Sequence, residues 1–508
     1  MRKKIIIFSD GGILLKRSSG AYRIATLLRQ RKYHVIIVDF FEHWSDNELN
    51  EVIEKHIDDS TIAFAFSITW MRNSALKNLI NLLKEKYPGR KYIAGGNKPI
   101  QENFGLDLTV TGYVENALDS ILEYLFNNGE KPKGIHPDFA PNTLHINADN
   151  EYPAHNQKNL EVVYTPDDKL QPYEQLTLEV SRGCKFKCKY CCYPFLGFKQ
   201  STHRDKNNLK QELVRNYNEF GVYNYTLADD TINDDDDKLR MLADVVENLS
   251  FEVNFTAFVR MDLTITKPYQ IELLSRARIW GHFYGIETFN RTAGLAVGKG
   301  MDPERIKDGM LKMREHMLDT LGLYRGSTGL IAGLPTENVE SWQNTQKWME
   351  CYWNTETWHW WPLDMTTDNT NKSLQSDLSK NADKFGYYKM KDQQRIEKLY
   401  TDFSIHNTQE TPPEVPVYHH IDNSFFPWQN DYTDFLEASE FCRNTEQKMF
   451  GNYNLSNFMI LDFYDKTKDK KQLLNIKWKP IVYENTATLM PYNRDKISEY
   501  KRLMLCKK

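Results

Sequence analysis

Three of the seven cysteines in this 508-residue chain stand close together, in the run Ser181-Arg182-Gly183-Cys184-Lys185-Phe186-Lys187-Cys188-Lys189-Tyr190-Cys191. Cys184, Cys188 and Cys191 have C-x3-C-x2-C spacing, with an aromatic just before the third cysteine. Cysteine thiolates hold iron–sulfur clusters, and four of them make the usual full set for [4Fe–4S]. Three close thiolates therefore hold three irons and leave one open to a ligand that is not protein. An open coordination position is what metal catalysis uses. Zinc sites usually combine such a pair with a second, distant pair of ligands. Cys351, Cys442 and Cys506 are single in their neighbourhoods and supply no such pair. A disulfide scaffold does not suit an odd cysteine count without a secretory leader. Cys192 reads as a buried structural neighbour, because a fourth thiolate would close the open position.

Such thiols need a scaffold, and the flanking sequence provides one. Leu176-Thr177-Leu178-Glu179-Val180 reads as a strand running into the cysteine loop. Helical patterns over 209–220, 237–249, 271–277, 303–318 and 339–351 then alternate with strand signals over 223–228, 251–258, 283–286, 321–331 and 357–363. Six βα units predict a partial (β/α)6 TIM barrel, whose active site lies at the C-terminal ends of the strands. Polar residues gather at those ends: Asp229-Asp230-Thr231, Arg260-x-Asp262, Glu287-Thr288 and Asp364. A Gly-rich turn, Gly329-Leu330-Ile331-Ala332-Gly333-Leu334-Pro335, follows the fifth strand signal.

The cysteine spacing and this ordered set of strand ends resemble the radical SAM superfamily. The resemblance implies that S-adenosylmethionine chelates the open iron of a [4Fe–4S] cluster through its amino and carboxylate groups. One electron passed to the sulfonium then yields a 5′-deoxyadenosyl radical. Carried over residue by residue, it places Asp229 or Asp230 near the methionyl amino group, Glu287 near the ribose, and Tyr190 and Gly333 near the adenine. Arg260 matches the third-strand end. Arg325 is a candidate partner for the methionyl carboxylate, since guanidinium offers a planar fork. Each has an ordinary structural alternative: a helix-cap carboxylate for the aspartates, a buried ion pair for Glu287, a carboxylate bridge for the arginines.

Residues 1–130 alternate strand and helix signals as well. Ile5-Ile6-Ile7-Phe8 is too short for a signal-peptide core and reads as a first buried strand. The alternation predicts a flavodoxin- or Rossmann-like parallel sheet, with ligands at the carboxyl ends of its strands. Those ends carry small or hydroxyl residues: Ser67 and Thr69, Gly95-Gly96, and Gly112 with Glu115. The segment resembles the cobalamin-binding domain that precedes the radical SAM domain in one large subclass. It lacks the D-x-H-x-x-G loop, since Gly11 and Gly12 follow Asp10. Two readings stay open, a cobalamin site and a ligand-free domain that only braces the barrel.

Residues 131–173 are rich in Pro, Asn and Asp and read as a linker. The barrel domain spans 174–371, and 372–508 reads as a helical C-terminal region capping the substrate pocket, with Asp364 facing substrate. In Trp358-His359-Trp360-Trp361, alternate tryptophans should pack inward and outward, and His359 reads as a satisfied core histidine. The expected activity is a radical SAM enzyme, with cobalamin-dependent C-methylation of an unactivated carbon preferred. Cobalamin-free rearrangement, cyclisation or methylthio-type transfer is the alternative, and a non-catalytic metal or redox sensor the rival class. Expected partners are a small-molecule or peptide substrate and an electron donor such as flavodoxin or ferredoxin. A net charge of −4 does not favour nucleic acid. With no apolar run long enough for a membrane span, a cytoplasmic, reducing setting is expected.

Overall fold

The computed structural model describes residues 2–10, 16–68, 73–96, 104–137, 143–148, 152, 157–172, 174–191, 202–366, 375–404, 426–449 and 496–506. Thr69 and Cys192 lie outside them. The chain divides into two compact units, Met1–Glu179 with Arg204–Tyr223 and Met490–Lys508, and Val180–His203 with Asn224–Leu489.

In the first unit, Lys4–Ser9 (β1), His34–Asp39 (β2), Thr61–Ile68 (β3), Lys91–Gly96 (β4) and Leu108–Thr111 (β5) pair in parallel. Ile5, Ile6, Ile7 and Phe8 are all buried, as expected of a strand covered on both faces. The helices Ser19–Gln30, Asp46–His56, Asn73–Lys86 and Leu118–Phe126 stand between or after these strands. Asp46–His56 begins at a reciprocal capping box of Ser45 and Glu48, which satisfies two otherwise unpaired N–H groups.

The stretch read as a linker is more structured than its composition suggests. His136–Pro137 (β6) and Leu144–Asn147 (β7) extend the sheet to seven strands in the order β2-β1-β3-β4-β5-β7-β6. β7 carries polar residues and so gives no apolar run. Its buried His145 is satisfied by Thr109 Oγ1 at 2.8 Å and Thr111 Oγ1 at 3.3 Å. The end of the chain also departs from expectation. A helix over 496–505 belongs to the first unit and not to a substrate cap. Tyr500 meets Phe40 and Trp44 edge-on, donates to Ile37 O and accepts from the Asp39 N–H, both at 3.0 Å.

The second sheet has six strands. Gln175–Leu178 (β8) is followed by the short antiparallel pair Ser181–Arg182 (β9) and Thr202–His203 (β10). Then come Asn224–Leu227 (β11), Asn254–Phe258 (β12), Ile279–Glu287 (β13), Arg325–Ala332 (β14) and Thr357–Pro362 (β15). The order β15-β14-β13-β12-β11-β8 makes successive strands neighbours, the topology of an open (β/α)6 barrel. The tryptophans alternate as expected. Trp358 and Trp360 both donate to Gln346 Oε1 on the helix Val339–Tyr352, each at 2.9 Å, whereas Trp361 is 36% exposed. His359 lies 3.2 Å from Ser327 Oγ, and burial lowers its pKa to about 4, so it stays neutral. The helices Asp377–Lys380, Gln393–Ser404 and Phe435–Met449, with the two-stranded pair Tyr388–Lys389 (β16) and Trp428–Gln429 (β17), make up the described C-terminal part. Among the described residues no helix is long and apolar enough to cross a membrane.

Candidate functional site

The cysteine loop leaves β9 and is tied down by backbone bonds. The Cys191 N–H donates to Cys188 O at 3.1 Å, the Lys189 N–H to Val297 O at 3.0 Å, and the Leu378 N–H to Lys189 O at 2.8 Å. Lys189 also pairs with Asp377 at 2.6 Å, and Lys185 Nζ donates to Asp234 O. None of these three cysteines is in a disulfide, and all are partly exposed.

Behind the loop lies a buried charged cluster. Asp229 Oδ2 accepts the Val180 N–H at 3.0 Å, and Oδ1 accepts the Ser181 hydroxyl. Lys238, fully buried, pairs with Asp234 at 2.7 Å and donates to Ser181 Oγ at 2.9 Å and Thr231 O at 2.8 Å. Removing any one partner would leave a charge buried and unpaired, which is what makes such an anchor firm. Asp229 therefore holds the base of the loop from behind. Asp230 is less buried than Asp229 and stands with Thr231 near Cys184. Burial, with the negative charge of Asp230 beside it, pushes the Cys184 thiol up.

Glu287 ends β13 with φ of +68°, a left-handed conformation that a non-glycine residue adopts at a cost of order 1–3 kcal/mol. The β13–β14 register slips between Gly285 and Glu287, which turns the carboxylate away from the regular ladder. Tyr190 Oη donates to Glu287 Oε1 at 2.7 Å, and Lys299 Nζ reaches the same oxygen at 3.3 Å while donating to Gly285 O. Burial, and then the neighbouring Glu287 charge, keep the Tyr190 hydroxyl protonated well past its usual range. The tyrosine of the cysteine loop and the acid of the fourth barrel strand thus form one unit.

Arg260 Nη1 donates to Cys188 Sγ at 3.4 Å, and its guanidinium lies 3.8 Å from the centre of the Phe186 ring. Nε and Nη2 grip Asp262 at 3.0 and 2.6 Å. Gly333 has φ of +100°, and a Cβ there would stand 2.2 Å from the Trp428 ring. Only glycine fits. Trp428 Nε1 donates to Leu363 O at 2.7 Å and the Tyr387 hydroxyl to Gly333 O at 2.6 Å, so the C-terminal part is stapled over the ends of β14 and β15. Asp364 is exposed just beyond β15.

Arg325 is not where the carboxylate role would need it. It is the first residue of β14, in register with Gly281, and so stands at the opposite end of the strand from Gly333. There it is buried beside Glu356, whose Oε2 accepts the Gly326 N–H at 2.6 Å. Burial lowers the Arg325 pKa and raises that of Glu356 to about 7. Residue order along one strand decides which end a side chain serves, and the strand starts later than its sequence signal. Lys238, Phe186 and Trp428 are contributors that the sequence reading does not assign to a site. Lys238 had one available signal, its i,i+4 spacing from Asp234.

In the first unit, Ser67 Oγ lies 3.2 Å from Ser18 Oγ at the end of β3. Gly95 and Gly96 end β4, and a Cβ on Gly96 would stand 2.0 Å from Ile68 O. That glycine is required by the sheet itself. Gly112 follows β5. Glu115 is buried and paired with Arg23 at 3.3 Å, while Arg23 donates to Glu161 O and Asn159 O. Its carboxylate therefore braces the unit. Ser67, Gly95 and Gly112 remain at the carboxyl ends of parallel strands, where small residues suit a large planar ligand.

The donor set at the loop fits an iron–sulfur cluster. It offers three thiols on one anchored segment, with the Arg260 guanidinium donating to Cys188 Sγ, and cysteine sets of this kind hold iron–sulfur clusters. Among the described residues no three His, Cys, Asp or Glu side chains converge to hold a single metal ion.

Residues 178–349 match the model of the Radical SAM superfamily. A tRNA-2-methylthio-N(6)-dimethylallyladenosine synthase of Natranaerobius thermophilus is 23% identical over 289 residues, 52% of this chain and 57% of that protein. The chain thus spans little more than half the length of that relative. Among solved structures, the cobalamin-dependent S-adenosylmethionine radical enzyme OxsB, with aqua-cobalamin and S-adenosylmethionine bound, superposes with a TM-score of 0.57 at 13% identity, covering 99% of this chain and 83% of that one. The radical S-adenosylmethionine methyltransferase TsrM of Kitasatospora setae gives 0.53 at 12% identity, covering 71% and 73%. At these identities the likeness is one of fold.

Proposed function

We propose that this chain, an enzyme carrying a radical SAM domain, holds a [4Fe–4S] cluster through Cys184, Cys188 and Cys191 and methylates an unactivated carbon in a cobalamin-dependent reaction. The observation that carries the reading is the union of the anchored thiol loop with Glu287 through Tyr190. Held by these three cysteines, the cluster would supply the one-electron reduction of the S-adenosylmethionine sulfonium from which radical hydrogen abstraction would follow. The chain's own residues bind and shield. Glu287, oriented by Tyr190 and Lys299, offers a carboxylate to accept ribose hydroxyls. Asp230 stands beside Cys184 as an acceptor for the methionyl ammonium. Trp428, seated on Gly333 and Leu363, covers the strand ends and excludes water, which protects a radical from quenching.

Cobalamin would rest on the first unit, against Ser67, Gly95 and Gly112. Supporting it are the fold likeness to the cobalamin-dependent enzyme OxsB and to TsrM, which has been solved with cobalamin bound, and the small residues at those strand ends. An electron donor such as flavodoxin or ferredoxin, and a small molecule or peptide as substrate, complete the reading. Methylthio transfer is the second reading, favoured by the similarity to the tRNA-modifying synthase.

The test is anaerobic reconstitution of the full chain with iron, sulfide and cobalamin, followed by incubation with S-adenosylmethionine and dithionite. Formation of 5′-deoxyadenosine, lost in Cys188→Ala, with a stoichiometric corrinoid absorption band, is expected. Formation of 5′-deoxyadenosine without retained corrinoid would remove methylation and leave the second reading.

A further inference from the structure

Arg260 stands just past the end of β12 and reaches across to the cysteine loop, and the role inferred from its strand position does not account for its contacts. Its backbone is pinned on both sides. Asn233, fully buried, accepts the Arg260 N–H at 2.9 Å and donates to Arg260 O at 3.0 Å. Gln270 holds Asn233 in turn, with 3.0 Å between Asn233 Nδ2 and Gln270 Oε1. The guanidinium side chain is only 10% exposed. Its Nε–Nη2 edge, the one suited to a side-on carboxylate, is occupied by Asp262. One face is covered by Phe186 at 3.8 Å. What remains is Nη1, and that nitrogen donates to Cys188 Sγ. A group so fully committed has little left for the carboxylate of a nucleoside ligand, but it is well made to act on a sulfur.

We propose that Arg260 serves the cluster, donating through Nη1 to the Cys188 sulfur and setting the potential at which the cluster takes up its electron. The proposal rests on Cys188 being a cluster ligand, as proposed above. Cluster potentials respond to net charge, to hydrogen bonds on the sulfurs and to exposure. A fixed cation bonded to a ligand sulfur stabilises the reduced, more negative state and moves the midpoint upward. Asp262 works in the other direction, because its carboxylate offsets part of the guanidinium charge. Phe186 holds the planar guanidinium against the loop and covers one of its faces.

The two opposing charges give an experiment with opposite signs. Full-length wild type, Arg260→Gln, Arg260→Lys and Asp262→Asn are reconstituted anaerobically. Iron and sulfide are assayed, and the reduced-cluster EPR signal is followed in a potentiometric titration, with and without S-adenosylmethionine. At equal iron content, the midpoint is expected to fall in R260Q, to lie between R260Q and wild type in R260K, and to rise in D262N. Unchanged midpoints in R260Q and D262N overturn the proposal. An unchanged midpoint in R260Q, together with loss of the spectral change that S-adenosylmethionine causes in wild type, also overturns it and assigns Arg260 to the nucleoside. If R260Q does not load a cluster, D262N decides alone: a rise supports the proposal and its absence refutes it. Wild type that takes up no iron and sulfide removes the cluster reading itself, a different result from any midpoint.

Discussion

Two arginines that look equivalent along the chain have different fates. In the sequence reading Arg260 follows the strand signal over 251–258 and Arg325 lies within that over 321–331, and both are candidates for binding S-adenosylmethionine. Arg260 caps the far end of β12 and faces a thiol, whereas Arg325 opens β14 and faces Glu356. Arg325→Met is therefore expected to leave the affinity of the reconstituted enzyme for S-adenosylmethionine unchanged. It should lower stability by about 1–3 kcal/mol, because Glu356, its pKa already raised to about 7, loses the neighbouring guanidinium and is buried as the neutral acid. Denaturant unfolding and equilibrium binding on one preparation decide this. Weakened binding at undiminished stability would return Arg325 to the site.

Elements carry the next layer, and the turn after β14 is the clearest case. Gly333 admits Trp428, and four residues on, Glu337 is buried with its oxygens accepting Thr288 Oγ1 at 2.5 Å and Trp342 Nε1 at 3.2 Å. Burial raises its pKa to about 7. The folded protein thus holds this proton more tightly than the unfolded chain, whose Glu titrates near 4.5. The contribution is fully present below that lower value and is lost as pH rises through about 7. Glu337→Gln, which keeps the shape and cannot ionise, should gain on wild type by on the order of 1–3 kcal/mol between pH 5 and pH 8 in urea unfolding. A difference between the two proteins that does not change with pH would show Glu337 ionised throughout.

At the scale of the molecule, the last helix belongs with the first sheet. The Tyr500 hydroxyl bridges Ile37 O and the Asp39 N–H, beside a buried network in which Arg17 pairs with Asp39 at 2.8 Å and Glu174 at 2.6 Å. Burial raises the Asp39 pKa to about 6 even with Arg17 beside it. Tyr500→Phe leaves a buried N–H unpaired and should destabilise the first unit by about 1–3 kcal/mol. Calorimetry is expected to show one transition moved down. A wild-type thermogram from the variant would mean the Tyr500 hydroxyl contributes no stability.

Cysteine spacing, the order of polar strand ends and the long apolar strands could all be read from the chain, because each is a local pattern: a ligand spacing, a strand terminus, a period of burial. That sufficed for a parallel α/β sheet followed by a six-stranded open barrel, and for a thiol loop after the first barrel strand. β6, β7 and the home of the last helix could not be read this way. His145 is acceptable in a buried strand only because Thr109 and Thr111 wait on the neighbouring one, and Tyr500 is anchored by residues more than four hundred positions away. Tertiary structure likewise separated Arg260 from Arg325, gave Glu115 to Arg23 and Asp229 to the base of the loop. Charge pairing in a low-dielectric interior depends on distance through space, and distance along the chain carries almost no information about it.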